Sequence, residues 1–288
     1  MVKRLTELSR PFIVCNVTDR TPQAAVATMR LALLDGAGAF ELNLPALAHA
    51  TPEDLRAVFS AVDRPTYTSC RRAEFMTVYG IPPAELPAWT DDDRMRRQLE
   101  ALRLGSVALD MELDTFDPHP APPLGTDEAA RFARAGSGPA EVTHQSTAIA
   151  RQREVIEATH EAGGDVILSC HTGRPLPAAD LVALGELAEG RGADLLKIVT
   201  PCLTLDDLLA VFAASAKLRA RLSIPFTLIG AGEVGLLSRS LGVAFGSAWA
   251  IGQQTLTPNG FHAQPLVAQL REIFRLIPWR YDPERPCV

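Results

Sequence analysis

Positive charge is scarce in this sequence relative to negative charge, and long apolar runs are absent. The 288 residues include 28 lysines and arginines against 34 aspartates and glutamates, a net charge of −6. Nucleic acids and anionic membranes bind basic surfaces, so we expect neither as a partner. No apolar stretch approaches the roughly 20 residues of a membrane span, and the first ten residues lack the apolar core of an export signal. We therefore expect a cytoplasmic protein that acts on a small molecule.

Cysteine is also sparse, and its spacing is not that of a disulfide or metal framework. The five cysteines form no CxxC pair, and several of them lie in apolar runs. This arrangement is typical of free, buried thiols. Five of the six histidines show no metal-ligand spacing, and we expect no metal site. They are His49, His119, His144, His160 and His262.

What the sequence does contain is a regular alternation of apolar runs with segments of helical spacing. Eight runs are candidate strands: residues 12–18, 39–44, 65–71, 106–113, 165–171, 193–199, 225–230 and 242–250. Eight buried strands alternating with helices predict a single-domain α/β protein with the (β/α)₈ TIM barrel fold. An open doubly wound sheet is the alternative, but no GxGxxG turn follows a strand.

One segment interrupts the alternation. Residues 114–140 follow the fourth strand and contain five prolines and three glycines. In a barrel this segment would rise from the C-terminal face, where active sites are built. A lid over the site and a disordered insertion are both open interpretations. Residues from about 278 to the end are interpreted as a surface tail.

A lysine inside an apolar strand is the most informative single residue. Lys197 lies in the sixth candidate strand, and His171 ends the fifth. Burial disfavours the ammonium form, so an amine held in an apolar barrel can be neutral near physiological pH and can attack a carbonyl carbon, forming an imine. His171 would then be the general acid and base, since imidazole takes and returns protons near neutral pH.

Further polar side chains fall near the C-terminal ends of the strands, where barrel active sites lie. They are Glu41, Arg71, Glu112 and Arg239. Glu41 is predicted to orient the histidine, and the two arginines offer planar forks for a substrate carboxylate. In the alternative interpretation, the lysine and the histidine form structural ion pairs with these carboxylates, and Arg239 lies on a helix surface.

These residues stand in ordered motifs that resemble the type I 3-dehydroquinate dehydratases, Schiff-base enzymes of the shikimate and quinate pathways. The matching segments are residues 108–113, 169–173, 192–198, and 235–239 with 245–248. The resemblance implies a (β/α)₈ barrel in which Lys197 is the imine lysine, His171 transfers protons and Arg239 binds the substrate carboxylate. It also implies that no metal or dissociable cofactor is needed.

Departures from the family pattern fall on residues that would contact substrate. Residues 41–45 read Glu-Leu-Asn-Leu-Pro where the family has Glu-x-Arg-x-Asp, and Glu-Phe-Met at 74–76 replaces a Glu-Gly-Gly that should follow Arg71. The family's Ser-Ala-Pro-Gly-Gln loop corresponds to residues 257–262. The substrate-binding candidates are therefore Arg239, Arg71, Asn43, Glu112 and His262.

Three functions follow from this pattern. The first is dehydration of 3-dehydroquinate through an imine on Lys197. The second keeps the imine and changes the substrate, to an elimination, retro-aldol reaction or cyclisation on another ketone or a polyketide-like compound. An apolar shell favours it: Leu42, Leu44, Pro45, Phe75, Met76 and Phe261. The third is a barrel that binds a ligand without turnover. A homodimer is expected from its frequency among oligomers.

Overall fold

Eight parallel strands form one sheet that curves into a nearly closed barrel. The computed structural model describes residues 2–256 and 264–276. The strands are β1 Phe12–Val17, β2 Ala39–Asn43, β3 Thr66–Ser69, β4 Ala108–Glu112, β5 Asp165–His171, β6 Leu195–Pro201, β7 Phe226–Ala231 and β8 Trp249–Gly252. Each strand pairs with its sequence neighbour from β1 to β7, and β8 pairs with β1.

The remaining seam lies between β7 and β8. The Ala248 amide donates to the Phe226 carbonyl at 2.7 Å, and the Thr227 hydroxyl donates to the Trp249 carbonyl at 2.9 Å. These bonds bring the two edges together, as a barrel requires. The predicted single-domain (β/α)₈ fold is confirmed.

Helices cover the outside of the barrel. Those described are α1 Pro22–Leu34, α2 Pro52–Phe59, α3 Asp91–Leu104, α4 Asp127–Ala135, α5 Ser146–Glu161, α6 Ala178–Arg191, α7 Leu205–Arg221, α8 Leu236–Leu241 and α9 Val267–Leu276. In several helices a threonine caps the first turn. The side chains of Thr51, Thr90 and Thr204 each accept from the backbone amide of the aspartate three residues on, and the carboxylate of that aspartate accepts from the threonine's backbone amide. Such boxes satisfy amides that lack partners within the helix. No described helix is both long and apolar enough to cross a membrane.

The eighth strand was predicted at the wrong place. It spans Trp249–Gly252, while Gly242–Phe245, which the prediction included, forms a 3₁₀ helix continuous with α8. The turn ends at Gly246, whose φ of +121° suits only glycine, and the Ser247 amide donates back to the Gly242 carbonyl at 3.1 Å. A short apolar run does not by itself distinguish a strand from a buried helical turn.

In the part of the chain that the structure describes, side chains fill the lower part of the barrel. Phe12 and Trp249 stack with ring centroids 5.9 Å apart, and Leu5, from a 3₁₀ helix at the N-terminal end, joins their cluster. Ile167 and Leu195 complete this layer from β5 and β6. Because side chains alternate along a strand, Ser169 and Lys197, two residues further on, also point into the barrel.

Residues 114–140 carry α4 and pack against the top of the barrel. A Cβ on Gly125 (φ +94°) would collide with the Thr77 hydroxyl and the Glu74 carbonyl. Gly138 and Gly173 cross equally closely, since a Cβ on either would strike the backbone of the other's segment. Arg174 also donates to the Gly138 carbonyl at 2.8 Å. The segment therefore packs on the C-terminal face of the barrel, and its role as a lid stays a prediction. The predicted tail from about 278 lies outside the described residues.

The prediction of free thiols is confirmed for the four described cysteines. Cys15, Cys70, Cys170 and Cys202 are all buried and unpaired with one another. Burial raises the pKa of Cys15 and Cys70 to about 12, so these thiols are unreactive at neutral pH.

Candidate active site

A cavity of about 360 Å³ at the C-terminal end of the barrel brings together five of the eight predicted site residues. Its predicted members are Glu41, Arg71, His171, Lys197 and Arg239. Asn43 and Glu112 are not part of its lining, and His262 lies outside the described residues. In the described part of the chain, no group of three or more histidine, cysteine or acidic side chains is placed to hold a metal.

Lys197 lies at the floor of this cavity between two carboxylates. Its side chain is buried, and Nζ lies 3.0 Å from Oδ2 of Asp110 and 3.3 Å from Oε1 of Glu41. Burial lowers the pKa of this lysine, but the two carboxylates outweigh burial and hold the pKa above its usual range. The two carboxylates thus favour an ammonium group in the resting protein over the neutral amine that burial alone would allow. An ammonium flanked by anions keeps its proton, whereas an apolar pocket alone would have removed it.

Asp110 is the site residue that the sequence prediction missed. It stands on β4, where Ser169 donates to its Oδ1 at 2.5 Å and Nη2 of Arg71 lies 3.0 Å from both of its oxygens. Burial raises the pKa of Asp110, but Arg71 and Lys197 outweigh burial and lower it. The two-residue period of β4 places Asp110 and Glu112 on one face. The same pattern could have identified this aspartate.

Glu41 contacts the lysine rather than the histidine it was predicted to orient. Besides Lys197, its carboxylate accepts a 2.9 Å hydrogen bond from the hydroxyl of Tyr67, the residue opposite it on β3. This leaves Glu41 fixed beside the ammonium group.

The partner of His171 is Glu141, which follows the 114–140 segment. Nδ1 of His171 lies 2.7 Å from Oε2 of Glu141, and the His171 amide donates to the same oxygen at 2.9 Å. The Glu141 amide in turn donates to the His171 carbonyl at 2.9 Å. Because Nδ1 is occupied, Nε2 is the nitrogen left to exchange protons with a substrate. The Phe75 ring packs on the imidazole at 5.2 Å between centroids.

Arg71 and Glu112 form a buried ion-pair network beneath the cavity. Nη1 of Arg71 lies 3.4 Å from Oε1 of Glu112, while Arg94 bonds the other Glu112 oxygen. Burial raises the pKa of Glu112, but Arg94, Arg71 and Arg72 together lower it well below its usual range. Arg71 lines the cavity, yet its guanidinium already binds Asp110 and Glu112. The alternative interpretation placed Lys197 and His171 in ion pairs with carboxylates such as Glu41 and Glu112. Lys197 does pair with Glu41, whereas Glu112 pairs with Arg71 and Arg94.

Asn43 is engaged with its neighbours. Its side-chain amide donates to Oδ1 of Asn16 at 2.6 Å and to the Val17 carbonyl at 3.3 Å. Its Oδ1 accepts from the Ser69 hydroxyl at 3.0 Å. The asparagine therefore joins β1, β2 and β3 at the barrel rim.

Arg239 lines the cavity from α8 and is not the helix-surface arginine of the alternative interpretation. Its side chain is buried, and burial lowers its pKa to about 10. The helix can lie this deep because Gly235 and Gly230 are in contact, and a Cβ on Gly235 would collide with the β7 backbone. The Ser238 hydroxyl donates to the Gly235 carbonyl at 2.7 Å and accepts from the Gly230 amide at 2.7 Å.

Comparison with known proteins identifies the family. The model of the type I 3-dehydroquinase family matches residues 13–278. The chain belongs to the type I 3-dehydroquinase family. A 3-dehydroquinate dehydratase of Geobacillus sp. (strain WCH70) is 32% identical over 124 residues, which cover 42% of this chain and 46% of the relative. One of Shouchella clausii (strain KSM-K16) is 34% identical over 114 residues, covering 38% of this chain and 43% of the relative. The matched region thus spans less than half the length of these curated relatives.

Solved structures of the family share the fold over nearly the whole chain. The 3-dehydroquinate dehydratase of Geobacillus kaustophilus HTA426 superimposes with a TM-score of 0.72 over 98% of both chains, at 17% identity. The type I enzyme of Clostridium difficile, solved with covalently modified comenic acid, gives 0.68 over 96% of this chain and 98% of its own, at 18% identity.

Proposed function

We propose that this protein is a lyase in which Lys197 forms an imine with the ketone of a carboxylated substrate. Family membership makes 3-dehydroquinate the first candidate substrate. One observation carries the proposal: Lys197, His171 and Arg239 line a single cavity at the open end of the barrel. A nucleophile, a proton-transfer group and a carboxylate-binding group are what such a reaction requires.

In the proposed reaction, the Lys197 amine attacks the C3 carbonyl carbon, and loss of water leaves a protonated imine. His171 removes a proton from C2, and the imine nitrogen accepts the electron pair through conjugation. The C1 hydroxyl then leaves as water after receiving a proton from the histidine. Hydrolysis of the imine returns the lysine and releases a conjugated enone. Arg239 holds the substrate carboxylate throughout.

The resting charge of Lys197 adds a requirement to this sequence. The ammonium group bound by Asp110 and Glu41 must lose a proton before it can attack. The two carboxylates give a proton nearby acceptors and, after attack, stabilise the positively charged imine at the same position. They therefore lower the fraction of reactive amine and favour the cationic intermediate.

A second candidate is an elimination or retro-aldol reaction on a different carboxylated ketone. The observation that favours it concerns Asn43, which departs from the family pattern: its side chain is hydrogen-bonded within the barrel rim. Each lost charged hydrogen bond to a hydroxylated substrate costs about 1.5–3 kcal/mol. Recognition of 3-dehydroquinate is weakened accordingly unless other groups replace these contacts.

Product formation from 3-dehydroquinate, followed by ultraviolet absorbance of the conjugated enone, tests the proposal. Product that depends on Lys197 supports the dehydratase function, with Lys197→Ala as the inactive variant. The sequence has only three lysines, so Lys217→Ala, an exposed position on α7, is a matched control. No product at high enzyme concentration rejects 3-dehydroquinate and leaves the second candidate.

A further inference from the structure

The cavity lining divides into a polar floor and an apolar roof. The floor consists of the strand-end groups Glu41, Arg71, His171 and Lys197. The roof consists of Phe75, Val78, Leu124, Ala129 and Ala130, from the 3₁₀ helix Ala73–Tyr79 and from the 114–140 segment. Val199, Ile229 and Ile251 continue the apolar wall between them. The other polar side chains of the lining are Tyr79, Thr126, Asp127, Arg239 and Gln264. A bound substrate would therefore meet charge at the floor and mainly hydrocarbon under the roof.

Tyr79, Thr126 and Asp127, the polar residues of the two roof segments, already have partners or face solvent, and elsewhere in the lining the Gln264 side-chain oxygen accepts from the Asn16 amide at 3.4 Å. The Thr126 hydroxyl donates to the Pro123 carbonyl at 2.9 Å and accepts from the Ala129 amide at 3.2 Å. The Tyr79 hydroxyl is hydrogen-bonded to Asn16. Asp127, at the start of α4, is exposed. A substrate hydroxyl placed under the roof would give up its bonds to water without gaining equivalent ones, which disfavours binding.

The roof also lies close to the groups that would do the chemistry. The Phe75 ring packs on the His171 imidazole, and Cζ of Arg71 lies 5.6 Å from the centre of the Phe75 ring. The close contact of Gly125 with Thr77 and Glu74 joins the two roof segments to each other. An apolar group on the substrate would thus be held within one ring's width of the proton-transfer residue.

We propose that the substrate is a ketocarboxylate that bears an aryl or alkyl substituent where 3-dehydroquinate bears hydroxyl groups. The ketone faces Lys197, the carboxylate pairs with Arg239, and the apolar substituent packs under Phe75 and Leu124. This inference rests on the imine chemistry proposed above and specifies the class of compound on which that chemistry acts.

Borohydride trapping with three related ketones tests the substrate class. The probes are 3-dehydroquinate, 3-oxocyclohexane-1-carboxylate, which lacks its hydroxyls, and 5-phenyl-3-oxocyclohexane-1-carboxylate. For each we would measure the concentration that gives half-maximal reduced adduct at Lys197. Filling an apolar pocket changes affinity by about tenfold or more. We expect the phenyl probe to be trapped at a concentration at least about tenfold below that of the unsubstituted ring, and 3-dehydroquinate to require the most.

A near-isosteric pair of variants shows whether the roof causes the preference. Val78→Thr adds one hydroxyl to the roof with little change in shape. Val26→Thr makes the same change on α1, where Val26 packs against a hydrophobic cluster and does not line the cavity. We expect Val78→Thr to reduce the advantage of the phenyl probe severalfold and Val26→Thr to leave it unchanged.

The outcomes separate this inference from the proposed function. Trapping of 3-dehydroquinate at an equal or lower concentration than the phenyl probe overturns the apolar substrate class while preserving the imine chemistry. An equal effect of the two valine variants also overturns it. Absence of a Lys197 adduct with every probe rejects the proposed function and, with it, this inference.

Discussion

One oxygen of Glu141 holds His171 by two bonds: Oε2 lies 2.7 Å from Nδ1 and accepts the histidine's own backbone amide at 2.9 Å. A carboxylate bound in this way fixes both the ring orientation and the proton on Nδ1. Glu141 is reached through the segment that interrupts the strand and helix alternation. That segment therefore forms part of the cavity wall and leads directly into the histidine's partner.

Glu141→Gln is predicted to lower kcat by about 10²-fold or more, because the neutral amide stabilises an imidazolium less and does not fix the Nδ1 proton. Imine formation depends on Lys197, so borohydride trapping should persist in this variant. Steady-state turnover of the active ketone and trapping yield would be measured together, with exposed Glu157→Gln on α5 as control. Equal loss of turnover and trapping would contradict a role confined to His171.

Asp110→Asn is predicted to shift the pH dependence of imine trapping to lower pH. In the native protein Asp110 and Glu41 raise the pKa of Lys197, so the reactive amine increases as the pH rises toward that pKa. Removing one anion lowers the lysine pKa, and trapping should then begin at a lower pH. Initial trapping rates, measured from about pH 6 to about pH 10 for both proteins, give the two pH profiles to be compared. An unchanged profile would show that Asp110 does not set the charge of the lysine.

Gly173→Ala is predicted to destabilise the protein by about 2 kcal/mol or more. Gly173 has a φ of +65°, and an added Cβ would strike the Pro139 carbonyl two residues before Glu141. Displacing that backbone should also reduce turnover through the Glu141 contact. Gly190→Ala on α6 is the control, because a Cβ there meets nothing within 4 Å. Urea unfolding that gives equal stabilities for the two variants would contradict close packing of the segment.

Asn43→Arg restores the residue type of the family pattern, and we expect it to lower stability without improving turnover of 3-dehydroquinate. Asn43 is 1% exposed and makes three hydrogen bonds within the rim. A guanidinium there is a buried charge without a partner, at a cost of about 3–5 kcal/mol. Thermal unfolding and the enone assay would measure both effects. A stable variant with raised turnover would show that position 43 contacts substrate.

The barrel and five of its cavity residues could be predicted because they follow from regular features. Eight apolar runs indicated the strands, and the strand-end rule indicated the five cavity residues Glu41, Arg71, His171, Lys197 and Arg239. The charge of Lys197 could not be predicted from its own strand. The carboxylates that set it lie 156 and 87 residues away in sequence, on β2 and β4. Their approach depends on the closed barrel.

Glu141 escaped prediction for a different reason. It lies in an irregular stretch with no two-residue or helical period, so the sequence pattern does not indicate which way its side chain points. Its contact with His171 depends on the crossing of Gly138 and Gly173, which is a property of the folded chain. Glu112, which stands in a regular strand, was an easier candidate, but it pairs with Arg94 and Arg71.

The most direct test of the central claim is peptide mapping by mass spectrometry after incubation with a ketocarboxylate and borohydride. With only Lys3, Lys197 and Lys217 in the sequence, the modified residue is identified without ambiguity. We expect one reduced adduct, on Lys197, that disappears in Lys197→Ala and persists in Lys217→Ala. Modification of the other lysines alone, or no adduct with 3-dehydroquinate or either cyclohexanone probe, would contradict it.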